Sequence, residues 1–494
     1  MSTDLPRSPF QPQRPRHPLW PAVCMALALS GCGHIAVGPE PRTPDSALVQ
    51  QVTASPALQQ AQAHAADGQA LFSDAPLPAH WWRLFDDAQL DALVQQALAH
   101  NADLRVAAAN LERVQAEEAV TAGAADPSIS VGGGPSYGIP KSGLDLLSPG
   151  YHPKNDSYYG AKVAVSYDLD VAGQVRRAME AAHANTQAAE AARDLARVTV
   201  AASTARAYAE ACSATWRLQA TDRSIALQDQ AVKLTERLQA AGRVGEMDTA
   251  QARAQWQQLR AARPPLQALH DSAVLRLGVL VGQLPSQAPP LSCTAAPRVQ
   301  QALPVGDGTS LLRRRPDVRQ AERHAVAATA HIGVAMAERY PHVSFGLSAS
   351  SVGYLNKIGH ADTLSWSMGP LISWTLPNTG VVEARVAQAE ASDRAALAQF
   401  DQVVLKALQE TENALQVYAR ELDRHDALVA ARDEAQRVAQ QARRLYVNGK
   451  VAFLSTLDAD RNLASAEAAL AASDGQLADD QIQLFLALGG GWEP

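Results

Sequence analysis

Two unbroken stretches set the limits on what this chain can fold into. From Gln174 to Gly242, and again from Val381 to Gly449, no proline or glycine occurs between the ends. Both stretches are rich in alanine, which loses no side-chain entropy on entering a helix, with Leu, Gln, Glu and Arg interspersed. At about 1.5 Å of rise per residue, each would form a helix roughly 100 Å long. Helices of that length do not fit inside a globular domain. They imply a coiled-coil or tubular assembly, and the small alanine side chains let neighbouring helices approach closely.

The two stretches belong to a tandem duplication. The segment Asn101-Ala-Asp-Leu-Arg through Ala125-Asp-Pro-Ser-Ile-Ser-Val131 matches Arg315-Pro-Asp-Val-Arg through Arg339-Tyr-Pro-His-Val-Ser-Phe345. Asp103 aligns with Asp317 and Pro127 with Pro341, both 214 residues apart; Gly173 aligns with Gly380 and Gly242 with Gly449, both 207 apart. Each copy reads helix, strand, strand, very long helix. The organisation expected is residues 1–31 as a lipoprotein signal peptide, 32–75 as an extended leader rich in Pro, Ala, Gln and Ser, 76–300 as the first repeat and 301–494 as the second.

Four strand-like segments are expected, near Ile129–Tyr137, Ala161–Val171, Val343–Ser351 and Leu364–Trp374. In the second, Val163, Val165, Tyr167, Leu169 and Val171 alternate with Lys162, Ala164, Ser166, Asp168 and Asp170; in the fourth, Leu364, Trp366, Met368, Ile372 and Trp374 share one face. Such alternation fits a half-buried sheet, but strands this long on an α-helical protein fit an outer-membrane strand, apolar to lipid and polar to the lumen. Pro370 interrupts the fourth and predicts a bulge or strand end there. No stretch after Cys32 has the roughly 18 apolar residues of a membrane helix, so a membrane crossing would have to be a β-barrel. Four strands cannot close one, since the smallest common barrels have about eight. Several chains must share it. Three copies would supply twelve strands, although the sequence does not itself set the number three.

The N-terminus carries the compartment signal. Arg7, Arg14 and Arg16 precede an apolar run from Trp20 to Leu29, followed by Leu29-Ser30-Gly31-Cys32. This is the layout of a secretory signal peptide. Leu29-Ser-Gly-Cys32 also resembles the bacterial lipobox, which implies a lipidated Cys32, the alternative being an ordinary signal peptide with an incidental cysteine; Gly33 stands where lipoproteins retained at the inner membrane have aspartate. Cys212 and Cys293 would then lie in an oxidising compartment, either as one disulfide or as two buried thiols.

Aromatic residues make up only 5% of the chain and the net charge is -7, which gives no support to a nucleic-acid partner. Charges of both signs are mixed along the helices as on a solvated face. There is no nucleophile elbow, phosphate loop or paired-cysteine motif, and the histidines are scattered. Neither an enzyme nor a metal site is expected.

Trp81-Trp-Arg-Leu-Phe-Asp86, Arg313 to Val318, Ile332-Gly-Val-Ala, Tyr340-Pro341 and the tail Ala487 to Trp492 resemble the outer membrane factor family, the TolC-like channels, and within it the NodT-type efflux lipoproteins. The resemblance implies a mainly α fold with a small β-barrel part. It further implies two tandem helix-strand-strand-helix repeats, a trimeric twelve-stranded outer-membrane barrel and a long periplasmic α-helical barrel. It implies an efflux duct for small molecules, with multidrug resistance among its roles. The protein would work as a homotrimer with a periplasmic adaptor and an inner-membrane RND pump. It would carry no cofactor except the covalent lipid (palmitate) at Cys32. The outer component of a type I secretion system and a periplasmic coiled-coil adaptor are the alternatives. By the same resemblance Asp248, Tyr446, Leu454 and Asp458 form the periplasmic gate. Leu454 and Asp458 match the constricting ring, while Asp248 and Tyr446 hold helix pairs closed. Gly242 and Gly449 are the helix-turn glycines, suited to a helix stop because glycine tolerates the left-handed conformation. A basic residue that completes this latch in some relatives is Val451 here, with Lys450 beside it.

Overall fold

The computed structural model describes residues 36–42, 71–73, 75–138, 155–293, 295–306, 314–374 and 379–490. The signal peptide, Cys32, most of the leader, Arg313, Gly491 and Trp492 lie outside the described residues. In chain order the elements are β1 (Phe72–Ser73), α1 (Ala88–His100), α2 (Ala102–Ala122), β2 (Ser128–Gly138), β3 (Asp156–Leu169), α3 (Gln174–Ala240) and α4 (Glu246–Leu280). Then follow β4 (Leu303–Pro304), α5 (Pro316–Ala337), β5 (His342–Tyr354), β6 (Leu364–Ser373), α6 (Thr379–Val447) and α7 (Phe453–Ala487). The two long helices have 67 and 69 residues, and each is followed by a helix of 35. The long helix and its follower in one repeat thus have counterparts of nearly equal length in the other. α4 runs on through Pro264 and Pro265, which have no prolines opposite them in α7.

The chain forms two compact units, and they are not the two repeats. One takes residues up to 39, 123–178 and 332–386; the other takes 40–122, 179–331 and 387–494. Each unit draws on both halves of the sequence, because the strands of the two copies pair with each other.

In the first unit β2, β3, β5 and β6 form one antiparallel sheet in that order. The register places Ile129, Val165, Leu347 and Met368 across one face and Ser130, Ala164, Ser348 and Ser367 across the other. One face is therefore mostly Val, Ile, Leu and aromatic, and the opposite one mostly Ser and Gly, as the period of two requires. β3 starts earlier than the alternation indicated, at Asp156, and ends at Leu169. The bulge or strand end expected at Pro370 is absent: the pairing with β5 continues unbroken from Ser373 to Leu364, with Pro370 opposite Phe345. β6 is an edge strand, where a missing donor can face away from the ladder. The other edge strand, β2, also contains a proline, Pro135 opposite Tyr159. At the connection from β5 to β6, the Tyr159 hydroxyl lies 2.8 Å from Ser351 Oγ and 3.0 Å from Thr363 Oγ1.

Just past the end of β3, Asp170 accepts from the Val175 and Arg176 backbone N–H groups at 3.0 Å each and so caps α3. The segment 36–39 packs here. Val37 N–H donates to the Ala172 carbonyl at 3.1 Å, and a Cβ on Gly333 would meet the Val37 carbonyl oxygen at 2.8 Å. The glycine of Ile332-Gly-Val-Ala is thus required by close approach of the leader.

In the second unit Trp81-Trp-Arg-Leu-Phe-Asp86, Arg315 to Val318 and the tail from Ala487 meet in one core, whereas Tyr340-Pro341 falls in the first unit. Trp81 stacks on Phe485 at 4.9 Å between ring centroids, and a Cβ on Gly490 would lie 2.4 Å from Leu77 Cδ2. Trp82 Nε1 donates to Asp91 at 2.8 Å, and Asp87 both caps α1 and accepts from the Tyr208 hydroxyl at 2.7 Å. Arg315 is buried; it donates to the Ala487 carbonyl at 2.8 Å and pairs with Asp317 and Glu410, each at 2.7 Å. Cys212, fully buried in the same core, is bonded to Cys293, with Cα atoms 5.5 Å apart.

Candidate functional site at the helix turns

Both long helices stop in the same way. Gly242 has φ +69° and Gly449 φ +68°, the left-handed region in which a side chain is disfavoured. Around Gly242 the N–H of Arg243 reaches the Leu238 carbonyl at 2.8 Å; around Gly449 the N–H of Lys450 reaches that of Leu445 at 2.9 Å. These six-to-one bonds satisfy carbonyls that the last turn leaves open. A short turn follows each glycine, and α4 and α7 then begin.

The two turns share a groove of about 990 Å³, lined by Gly242, Asp248, Tyr446, Val451, Phe453 and Leu454 among others. Under it sits a small apolar cluster of Val232, Ala252, Phe453 and Leu457, with Trp256 and Tyr446 packed on its side. The Tyr446 and Phe453 rings meet edge-on, 5.5 Å between centroids. Asp248 spends one carboxylate oxygen on its own turn, where Oδ2 accepts from the Gly245 N–H at 3.1 Å. It also lies near enough to Tyr446 that burial first, and then this negative charge, push the Tyr446 hydroxyl pKa up. Asp248 and Tyr446, far apart in sequence, are therefore neighbours.

Leu454 and Asp458 occupy successive turns of α7; Leu454 is exposed and Asp458 half-buried, its side chain 50% accessible. The sequence reading missed their ionic setting. Asp458 pairs with Arg461 at 3.2 Å on the same helix, a contact that the three-residue spacing could have signalled. Two residues further along α7, Asp460 is bound by Arg443 of α6 at 2.8 Å. Arg253 of α4 binds Glu236 of α3 at 2.7 Å in the first hairpin. Nothing local marks these cross-hairpin pairs. Val451 lines the groove, so no cation stands at that position.

The turns present an apolar patch beside the Asp248 and Asp458 carboxylates, with paired helices behind. The profile of outer membrane efflux proteins matches residues 93–283 and 309–490, one match in each repeat. The chain belongs to the outer membrane efflux protein family. This outer membrane efflux protein is 30% identical over 481 residues to the toluene efflux pump outer membrane protein TtgC of Pseudomonas putida, covering 94% of each chain. It is 28% identical over 475 residues to the cation efflux system protein CusC of Escherichia coli, covering 95% of this chain and 98% of that one. The solved structure of the outer-membrane channel OprN superposes with a TM-score of 0.85 at 34% identity, over 93% of this chain and all of that one. The helical fold expected from the resemblance is thus that of outer-membrane channels. The family is one of efflux ducts, and its members are not enzymes.

Proposed function

We propose that three copies of this chain form one duct through the outer membrane, the exit of a tripartite efflux pump. The single observation that carries this reading is the two-faced sheet. Its Val, Ile, Leu, Met and Trp face is widely exposed, with Trp366 74% accessible and Val131 77%. Such a face suits lipid, and the Ser and Gly face suits a water-filled lumen. A four-stranded sheet also leaves the edges of β2 and β6 unpaired. Pairing β6 of one copy with β2 of the next removes every edge and gives twelve strands. In this reading Cys32 carries the lipid and the long helices line a periplasmic tunnel. At its end three copies of Leu454 and Asp458 form the constriction, which Asp248 and Tyr446 help hold closed. A periplasmic adaptor joins the tunnel to an inner-membrane RND pump, and the pump selects the cargo.

The test is conductance of the purified full-length protein in planar bilayers, with its mass in detergent measured alongside. A trimer giving discrete channels is the expected result. A monomer, or a trimer without channels even when Leu454 and Asp458 are both replaced by alanine, would overturn the reading.

A further inference from the structure

The Ser and Gly face of the sheet has an uneven charge pattern. Among the described residues of the four strands it carries three fully charged side chains, Asp156, Lys162 and Asp168, all on β3. Lys162 stands at mid-sheet. The register sets Gly132 beside it on β2 and Ser350 on β5, with Ser365 next in the same row on β6. The row on one side reads Ser130, Ala164, Ser348, Ser367; on the other side Gly134, Gly160 and Val352 lie in register. The serines are occupied with each other, Ser350 Oγ lying 2.8 Å from Ser365 Oγ and Ser348 Oγ 2.9 Å from Ser367 Oγ. The register therefore places no carboxylate next to the ammonium, and its own row holds no other long side chain.

Distance decides whether the two aspartates cancel it. Each is six residues along the strand from Lys162, which is about 20 Å at roughly 3.3 Å per residue. The Debye length at physiological ionic strength is about 8 Å, so both carboxylates are screened from the lysine. The face thus presents three separate bands in the order negative, positive, negative, not a neutralised surface.

We propose that Lys162 is the residue that selects ions inside the barrel, three copies forming a cationic ring at mid-height that favours anions there. This rests on the barrel reading above. Small neutral side chains around the ring keep the lumen wide at that level, so the ammonium acts on passing solutes through its field and not as a plug. Anionic solutes gain from the ring, whereas cations meet a barrier between two carboxylate bands.

The test is the reversal potential of the purified full-length channel in planar bilayers under a potassium chloride gradient. Asp458 at the helix turns adds its own preference in series. Each Lys162 variant is therefore measured both alone and with Leu454→Ala and Asp458→Asn. Lys162→Gln is expected to lower the chloride-to-potassium permeability ratio severalfold, and Lys162→Glu to lower it further. Lys162→Arg, which keeps the charge, should hold the wild-type ratio. Unchanged ratios in Lys162→Gln and Lys162→Glu channels of normal conductance would overturn the role of Lys162 and leave the channel standing. A wild-type protein that never conducts would overturn both.

Discussion

Arg443 and Asp460 face each other across the second helix hairpin, with the guanidinium Nε 2.9 Å and Nη2 2.8 Å from one carboxylate oxygen. Burial raises the Asp460 pKa and the arginine pulls it back down, and burial is the larger effect. The folded pKa therefore lies above the unfolded one. Such a group binds more protons folded than unfolded between the two values, so its contribution to stability falls as pH rises through that window. Arg443→Ala removes the counter-charge and widens the window upward. The variant should be less stable than wild type near pH 7, by about 1–3 kcal/mol, and should recover part of that loss near pH 5. Far-UV thermal melts at the two pH values check this; an equal deficit at both would mean that Asp460 is not the cause.

Asp458 and Leu454 differ in kind, and so should their variants. Replacing the exposed Leu454 by alanine removes an apolar collar and is expected to raise single-channel conductance with little change in ion preference. Asp458→Asn removes charge from the proposed ring and frees Arg461 from its 3.2 Å partner. It should reduce cation preference more than it changes conductance. Bilayer recordings separate the two, and identical effects from both variants would contradict the ring.

Gly449 has open space around the position a Cβ would occupy. The cost of a side chain there is therefore conformational alone. Gly449→Val should destabilise the hairpin by about 1–2 kcal/mol, and Gly449→Asn by less, because asparagine tolerates the left-handed region. Thermal melts of the two variants would show this order, and equal losses would argue against it.

Cys212 and Cys293 close a loop across 81 residues of sequence separation. Replacing both by serine should lower stability by about 2–4 kcal/mol through the freedom returned to the unfolded chain. Because Cys212 is fully buried, dithiothreitol should act on the native protein far more slowly than on the denatured one. Rapid alkylation of the native protein after mild reduction would count against a protected bond.

The strands, not the lipid, carry the proposed insertion into the membrane. Cys32→Ala, if still exported, should lose labelling by a radioactive fatty acid and still yield trimers on a native gel. Absence of trimers would show that the lipid is needed for assembly.

Much of this fold is legible in the chain because it depends on local chemistry. The absence of Pro and Gly from Gln174 to Gly242 leaves nothing to break α3, and the alternation around Val163 to Leu169 assigns each side chain of β3 to a face. The glycines that end α3 and α6 are visible because only the backbone conformation at one residue matters there. Pro370 misled for the opposite reason. Whether a proline breaks a strand depends on whether the partner strand needs its donor, and within one chain β6 has a partner, β5, on one side only. The nearness of Asp248 and Tyr446 came from family resemblance, while Arg443 with Asp460 had no sequence signal, since partners on separate helices are set by how those helices pack.

The sequence by itself determined the lengths of the helices, the two faces of the strands and the duplication, all of which follow from periodicity and from residues that can or cannot continue an element. Only the tertiary structure decided that the strands of the two repeats join in one sheet, that Arg315 and Trp81 converge with the C-terminal tail in one core, and that Lys162 stands in a row of glycine and serines. Those are matters of register and packing between segments up to several hundred residues apart, and no local preference encodes them.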